Sequence, residues 1–220
     1  MSADPRLARL LEHPAIWRGR SLAHTSVVST GFAALDAALP GNGWPRVGLV
    51  EILSASSGCG ELNLLLPALA GLTQRVVARW CALISPPVYP GTHPSSSACQ
   101  LEPFAPALAA HGLALPRVLI VRTEQPLWAC EQALGSGACD VALTWIREIR
   151  PRALRRLQLA TERGRTLAFV LRALTARTLR ESSGAALRLA IEPHAAGTRV
   201  RLVKSRGGLN GSIELAHPGP

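Results

Sequence analysis

The sequence predicts an α/β fold, in which a mostly parallel central sheet is flanked by helices and ends in an antiparallel edge at its C-terminal end. Two observations favour this fold. Short apolar runs alternate with amphipathic stretches along most of the 220-residue chain, which is typical of strands that alternate with helices. The last two apolar runs follow each other directly, with Gly197 at the turn between them, which indicates an antiparallel pair. A chain of this length has room for one ordinary core.

Helices are predicted where apolar residues recur every three or four positions. In residues 31–39 these are Phe32, Leu35 and Leu39, and a run rich in proline and glycine at 40–45 ends the helix. The predicted helices, in chain order, cover residues 5–13, 31–39, 61–72, 103–111, 126–134 and 152–163.

Strands are predicted where short aliphatic runs lie between turn-forming residues. The clearest is the run at 48–53, which a loop of small residues follows. The predicted strands cover residues 48–53, 76–84, 118–121, 141–146, 167–171, 186–191 and 199–203. Around these elements we expect an N-terminal arm and linker at 1–29, the core at 30–206 and a C-terminal tail at 207–220.

The composition argues against several classes of protein. The most apolar uncharged run, residues 62–74, has 13 residues, against the roughly 20 that a membrane helix needs. The N-terminal segment lacks the apolar run of a signal peptide. Five cysteines, an odd number without a Cys-x-x-Cys pair, and six scattered histidines predict neither a disulfide framework nor a metal site. We therefore expect a cytoplasmic protein with no membrane contact.

The net charge of +10 is confined to one part of the chain. Residues 145–210 contain 15 basic and four acidic residues, whereas the remainder contains 9 basic and 10 acidic ones. Of the 24 basic residues, 23 are arginine and Lys204 is the single lysine. A basic excess in the last third favours an anionic partner such as nucleic acid. An arginine-rich face that only meets solvent is the alternative.

A block of motifs precedes the predicted strand at 48–53. The sequence reads STGxxxLD at 29–36, LPGNGWP at 39–45 and GxxEI at 48–52, and it continues into a small-residue loop and a helix. This order resembles the entry to a RecA-type core, where the corresponding phrases lead into the phosphate-binding loop. The resemblance implies a RecA-like core for residues 30–206.

The loop itself departs from the pattern of a working phosphate loop, G-x-x-x-x-G-K-[ST]. In that pattern the backbone amides cradle phosphate, the lysine neutralises the outer phosphates and the hydroxyl binds magnesium. Here Gly60 stands at the lysine position and Glu61 at the hydroxyl position, and no other register supplies a lysine. The residues singled out in this degenerate loop are Ser54, Ser57, Gly58, Gly60 and Glu61. We therefore expect no cofactor and no metal.

The acidic residues of RecA-like enzymes also lack a match. Such enzymes place an aspartate at the end of a central strand to hold magnesium, and a glutamate after the second strand. Here the run at 141–146 ends near Thr144 and Trp145, Asp140 precedes it, and Ser-Pro-Pro at 85–87 follows the second strand. The sequence therefore predicts that the chain has no catalytic residues and is not an enzyme.

Further phrases resemble the ImuA family, RecA-like accessory proteins of translesion DNA synthesis that older descriptions call SulA-like. These phrases are WRGR at 17–20, GxGELxLLLPAL at 58–69, FAPAL at 104–108, WAxEQAL at 128–134 and LRRLQLA at 154–160. The resemblance covers roughly residues 7–208. The segment at 86–99 departs from it, because it is longer than the connection expected there.

The ImuA resemblance implies a bacterial protein of the SOS response to DNA damage that hydrolyses no nucleotide. It would act in the cytoplasm, at the nucleoid, as an adaptor for ImuB, a catalytically inactive homologue of Y-family polymerases, and for an alternative C-family DNA polymerase. RecA and DNA are further partners in this expectation. Two other functions stay open: a RecA-like nucleotide-binding ATPase and a SulA-like inhibitor of cell division.

Arginines cluster where a polyanion could bind. Several lie at the start of the helix at 152–163, and others lie in residues 172–184, where a RecA-type core carries a mobile DNA-binding loop. The candidate DNA-binding residues are Arg150, Arg152, Arg155, Arg156, Arg172, Arg177, Arg180, Lys204 and Arg206. Because residues 172–184 contain no aromatic side chain for base stacking, we expect phosphate contacts that depend on salt and not on base sequence.

The N-terminal arm is a second candidate surface. It has four basic residues, too few for a DNA-binding tail, but several apolar ones. The candidate partner-binding residues are Leu7, Leu10, Leu11, Ile16 and Trp17. They could dock on the chain's own core, on a second copy or on a partner protein.

Overall fold

Strands and helices alternate in the computed structural model, which describes residues 26–55, 58, 60–87, 89–90, 100–101, 103–195, 197–205 and 211–216. The strands are β1 (Val27–Val28), β2 (Trp44–Pro45), β3 (Gly48–Ser54), β4 (Trp80–Ile84), β5 (Tyr89–Pro90), β6 (Gln100–Leu101), β7 (Val118–Val121), β8 (Cys139–Trp145), β9 (Leu167–Ala173), β10 (Leu187–His194), β11 (Gly197–Ser205) and β12 (Ser212–Ala216). The helices are α1 (Ala33–Ala38), α2 (Glu61–Thr73), α3 (Ala105–Ala110), α4 (Pro126–Gly135), α5 (Pro151–Gly164) and α6 (Ala176–Arg180).

Eight of these strands form the central sheet, in the order β12-β11-β10-β3-β9-β8-β4-β7. Between β10 and β7 in this order, every adjacent pair of strands is parallel. Strand β11 pairs antiparallel with β10 and with β12. The chain passes from β3 over two positions to β4, and β8 and β9 later fill the gap. The predicted α/β fold with its antiparallel C-terminal edge is confirmed, and the strand order is consistent with a RecA-like core.

Apolar side chains are buried on both faces of the sheet, because buried parallel strands are apolar on both sides. On one face, α2 packs through residues such as Leu65, and the Trp44 and Phe169 rings meet edge to face with centroids 5.3 Å apart. On the other face, α4 and α5 pack through Leu134 and Leu157. Among the described helices, none is long and apolar enough to span a membrane.

Helix α6 and strand β12 are not predicted from the sequence, and neither are the two-residue strands β1, β2, β5 and β6. Helix α6 lies where the sequence predicts a mobile loop. Two threonines form a capping box at the start of this helix and stabilise it. The Thr178 N–H donates to Thr175 Oγ1 at 3.0 Å, and the Thr175 N–H donates to Thr178 Oγ1 at 2.8 Å. Strand β12 lies within the segment predicted as a tail and pairs with β11.

The second predicted strand, at 76–84, is shorter in the structure and begins at Trp80. Helix α2 runs on to Thr73, and Val76 and Val77 in the following turn are 101% and 80% exposed. These valines therefore contribute nothing to the sheet. The remaining predicted elements lie within three residues of their predicted bounds, except that the helix at 5–13 lies outside the described residues.

Asp140, at the amino end of β8, joins several chain segments. It is 2% exposed, and its carboxylate accepts hydrogen bonds from Arg46 Nη2 at 2.6 Å, from Arg79 Nε at 3.0 Å and from the Arg79 backbone N–H at 2.9 Å. Arg79 also donates to three backbone carbonyls, those of Gly137, Gly164 and Arg165. One carboxylate and one guanidinium thus tie the ends of α4 and α5 to the start of β8.

We expect the replacement of Asp140 by asparagine to make the stability of the fold less sensitive to acid. Burial acts to raise the pKa of the Asp140 carboxyl, but hydrogen bonds from Arg79 and Arg46 outweigh burial and hold the pKa below its ordinary value of 3.8. Because the folded pKa lies below the unfolded one, this stabilisation is present above the unfolded pKa and is lost as pH falls through the folded pKa.

Urea denaturation at a series of pH values tests this prediction. Below about pH 4, the free energy of unfolding should fall more steeply in the wild type than in Asp140→Asn. Equal pH dependence in the two proteins would contradict the role assigned to Asp140.

Candidate binding sites at the carboxyl edge of the sheet

The carboxyl ends of β3, β4, β8 and β9 meet at one edge of the sheet, because these strands are parallel. Ligands of open α/β sheets bind beyond the carboxyl ends of the strands. Two cavities open at this edge, one beside the loop after β3 and one beside the connection after β8. Asp140 lies at the opposite, amino end of β8, so it is remote from both.

The loop after β3 binds its own carboxylate. Gly58 and Gly60 have left-handed φ angles of 84° and 99°, and α2 begins directly afterwards at Glu61. The backbone N–H of Gly58 donates to Glu61 Oε1 at 2.7 Å. The Glu61 side chain therefore takes up a backbone amide of the kind that a phosphate loop presents to an anion. Ser54 is buried at the end of β3, and Ser57 lies outside the described residues.

A cavity of about 310 Å³ adjoins this loop, and we call it the proline-walled cavity. Gly58 and residues 60–63 form one side, and Pro86, Pro87, Pro103, Phe104 and Trp145 form the others. No lysine or arginine is among the described residues that line it. An oligophosphate placed here would face the Glu61 carboxylate without a compensating cation, so electrostatic repulsion opposes its binding.

Two residues that line the proline-walled cavity, Glu61 and Trp145, each carry a buried polar atom that is unsatisfied among the described residues. Glu61 Oε2 and Trp145 Nε1 have no hydrogen-bond partner among the described residues. Glu61 as a whole is 3% exposed. Buried polar atoms normally have a hydrogen-bond partner. A group that suits this cavity would therefore supply a donor to Glu61 Oε2 and an acceptor to Trp145 Nε1.

The second cavity, of about 700 Å³, lies between the β8–α5 connection and α6, and we call it the basic cleft. Three exposed arginines line it, namely Arg147, Arg150 and Arg177, together with the exposed acid Glu148. The half-buried Glu181 also lines the cleft and pairs with Arg177 at 3.2 Å, so Arg147 and Arg150 contribute most of its unbalanced positive charge. Helix α5 begins beside them at Pro151, and the positive end of a helix dipole adds to their field. This concentration of positive charge is suited to phosphate groups.

Glu51 holds two buried arginines between β3, β9 and β10. Glu51 Oε1 lies 2.9 Å from Arg172 Nη1, and Glu51 Oε2 lies 2.8 Å from Arg188 Nε. Arg172 also donates to Glu181 Oε2 at 2.8 Å, and this hydrogen bond is the main cause that lowers the pKa of Glu181. We call Glu51, Arg172, Arg188 and Glu181 the buried ion cluster. Arg172 is 4% exposed and paired inside the fold, which corrects its placement on the predicted DNA-binding surface.

The remaining predicted DNA-binding arginines are exposed but spread along two helices. Arg152 lies in the first turn of α5, next to the basic cleft, and Arg155 and Arg156 lie further along this helix. Arg156 pairs with Glu131 of α4. Arg180 lies at the end of α6. Of the predicted set, the structure thus brings the exposed Arg150 and Arg177 and the buried Arg172 to the lining of the cleft, with Arg152 beside them.

The last predicted basic residues and the arm lie elsewhere. Lys204 is exposed on β11, where its Nζ donates to the carbonyl of Ser183 at 2.5 Å. Arg206 lies outside the described residues, as do all the predicted partner-binding residues, Leu7, Leu10, Leu11, Ile16 and Trp17.

Sequence analysis assigns no site role to Arg147 or Trp145, although the structure places both at the cavities. Trp145 is the last residue of β8, and Arg147 follows two positions later. Residues at or just beyond the carboxyl end of a parallel strand are well placed to contact ligands. The predicted end of β8 could therefore have identified Trp145 and Arg147 as candidate site residues.

Three described cysteines, Cys81, Cys130 and Cys139, are buried free thiols. Burial raises the pKa of Cys81 and of Cys130 to about 12, and it also raises that of Cys139. Such thiols stay protonated at neutral pH and are poor nucleophiles and metal ligands. Among the described residues, no group of three or more His, Cys, Asp or Glu is placed to hold a metal ion.

Comparisons with known proteins find similarity among solved structures. No family model matches the chain, and a search of the curated proteins finds no match. Among solved structures, SulA from Pseudomonas aeruginosa is 25% identical, with a TM-score of 0.44, over 57% of this chain and 98% of the SulA chain. Function therefore has to be argued from the two sites.

Proposed function

We propose that the chain is a non-catalytic accessory protein on a RecA-like scaffold, which binds DNA through its basic cleft and serves as an adaptor in translesion DNA synthesis. The observation that carries the proposal is the bond between Glu61 and the Gly58 amide. A loop whose Gly58 amide is already bound by the Glu61 carboxylate offers the phosphates of a nucleotide one amide fewer and places a negative charge beside them. The scaffold then acts by holding partners together.

The absence of nucleotide chemistry is supported by charge as well as by geometry. Phosphoryl transfer needs cations that neutralise the outer phosphates and a group that holds magnesium. The described lining of the proline-walled cavity offers a carboxylate and apolar groups instead. Lys204, the sole lysine of the chain, lies on β11 and donates a hydrogen bond to the carbonyl of Ser183.

DNA binding is supported by the basic cleft. Arg147, Arg150 and Arg177 project from two adjacent segments and are exposed, so they can reach phosphates without unfolding any element. Contacts of this kind release counterions and give affinity that falls with salt but is independent of base sequence.

The adaptor role rests on the resemblance to the ImuA family. The partners that it suggests are an inactive Y-family polymerase homologue and an alternative C-family polymerase, with RecA as a further one. A basic cleft that holds a DNA strand would place such partners beside their template.

We expect single-stranded DNA to bind in a salt-dependent manner that is indifferent to ATP and magnesium. Fluorescence polarisation of a labelled strand over a salt series measures this. Replacing Arg147, Arg150 and Arg177 by alanine should weaken binding and make the slope of log affinity against log salt shallower by about 2, since each single-strand phosphate contact contributes about 0.7.

A matched control removes three exposed arginines outside the cleft, Arg117, Arg199 and Arg201, and should leave most of this slope intact. ATP-dependent binding would overturn the non-catalytic scaffold, and an equal loss in both triple variants would overturn the cleft as the DNA site. Pull-down with a polymerase-type partner and with a cell-division protein separates the adaptor role from that of a division inhibitor.

A further inference from the structure

We propose that the proline-walled cavity binds an arginine side chain of a partner polypeptide, with the guanidinium on Glu61 and a neighbouring peptide carbonyl on Trp145. This proposal rests on the proposed loss of nucleotide chemistry and goes beyond it, because it assigns a ligand to a site left without phosphates.

The first argument is the state of the Glu61 carboxylate. One oxygen, Oε1, accepts the hydrogen bond from the Gly58 amide, whereas Oε2 is buried without a partner among the described residues. A buried carboxylate oxygen without a donor is unfavourable. A cationic group with several N–H donors remedies this, and the guanidinium is the side chain whose donors best match a carboxylate.

The second argument is the Trp145 indole. Its Nε1–H is buried at the wall of the cavity and has no acceptor among the described residues. A cation alone does not satisfy a donor. An arginine within a peptide brings both kinds of group, since a backbone carbonyl near the guanidinium can accept from the indole.

The third argument is the shape and surface of the walls. Pro86, Pro87 and Phe104 give the cavity apolar faces, and Phe104 is 69% exposed at its rim. A planar, weakly hydrated guanidinium stacks on such faces, particularly on aromatic rings, more readily than an ammonium does. The volume of about 310 Å³ is at the lower end of the range for ligand pockets, which suits one side chain with its adjoining backbone.

Calorimetric titration of the full chain with N-acetyl-arginine-N-methylamide tests this proposal. We expect saturable binding in the millimolar range. The citrulline analogue, which keeps the shape but lacks the charge, should bind at least about tenfold more weakly, because charge-assisted hydrogen bonds are about twice as strong as neutral ones. n-Butylguanidinium, which carries the same single charge but no carbonyl, should also bind more weakly than the arginine amide. Equal affinity for the arginine and citrulline amides, or no saturation, would overturn the proposal.

Two variants connect this binding to the named atoms. Glu61→Gln keeps an oxygen that can accept from the Gly58 amide, so the loop is retained, but its affinity for the arginine amide should fall about tenfold. Trp145→Phe should abolish the advantage of the arginine amide over n-butylguanidinium. The control is Glu148→Gln, which changes an exposed carboxylate in the basic cleft and should leave arginine binding unchanged.

The DNA polarisation assay on the same variants separates the two proposals. Glu61→Gln should bind DNA as the wild type does. Arginine binding without DNA binding would refute the cleft and leave the cavity proposal standing, whereas displacement of the arginine amide by ATP would refute both.

Discussion

Replacing Glu51 by leucine is expected to lower the free energy of unfolding by about 3–5 kcal/mol. The substitution removes the Glu51 carboxylate from the buried ion cluster, so Arg172 and Arg188 each lose an ion-pair partner. These guanidinium groups have 2% and 4% of their side-chain surface exposed, so water cannot replace the lost partner without opening the fold. The effect is mainly the cost of the buried Arg188 charge left without a carboxylate, because Arg172 keeps its pair with Glu181, and this cost is larger than the net worth of the pair itself.

Urea denaturation of the purified variant measures this loss. The matched control is Glu214→Gln, which breaks an exposed pair with Arg199 and should leave the stability nearly unchanged. Changing Arg172 and Arg188 to methionine together with Glu51→Leu should recover much of the loss, because an apolar cluster replaces an ionic one. Wild-type stability in the single variant would show that the two arginines find other partners.

Replacing Gly164 by alanine is expected to destabilise the protein by about 3 kcal/mol. Gly164 is the last residue of α5, where this helix meets the end of α4. A Cβ atom at this position would overlap the carbonyl oxygen of Leu134, and it would stand 3.2 Å from the Gly137 nitrogen. These neighbours are backbone atoms, so the clash can be relieved only by moving one helix away from the other.

The control for Gly164→Ala is Gly71→Ala in α2. A Cβ atom at Gly71 meets nothing within 4 Å, and its position inside a helix favours alanine. That variant should gain about 1 kcal/mol in the free energy of unfolding. Denaturation of both variants under one condition gives opposite signs if the close approach of α4 and α5 is the cause. A neutral Gly164→Ala would contradict it.

Much of the fold could be predicted because its signals are local. The runs of β3, β8 and β9 are mainly apolar on both faces, with one charged residue each, as expected for buried parallel strands, and the amphipathic spacing of Leu154 and Leu157 predicts α5. Helix α6 and strand β12 were not predicted because few local residues determine their formation. Helix α6 depends on a capping box between two threonines, and β12 depends on pairing with β11, which no local pattern reports.

The candidate sites were less predictable, because charge in the sequence carries no information about burial. Arg172 and Arg177 are equally basic residues of one segment, yet Arg172 lies in the buried ion cluster and Arg177 at the surface. The substitution of Glu61 into the loop is visible in the sequence. Its contact with the Gly58 amide depends on the left-handed turn at the glycines, which only the structure displays.

The bond between Glu61 and Gly58 has a consequence for timing. The carboxylate is tethered three residues from the amide that it binds, so its effective concentration at the loop is fixed by the covalent chain and is independent of the cell's supply of small molecules. A loop that alternately binds and releases nucleotide can time the assembly and release of a protein's complexes. A loop whose amide is bound by its own chain gives no such signal, so in the proposed adaptor the occupancy of each complex would depend on partner concentration and affinity and not on a nucleotide cycle.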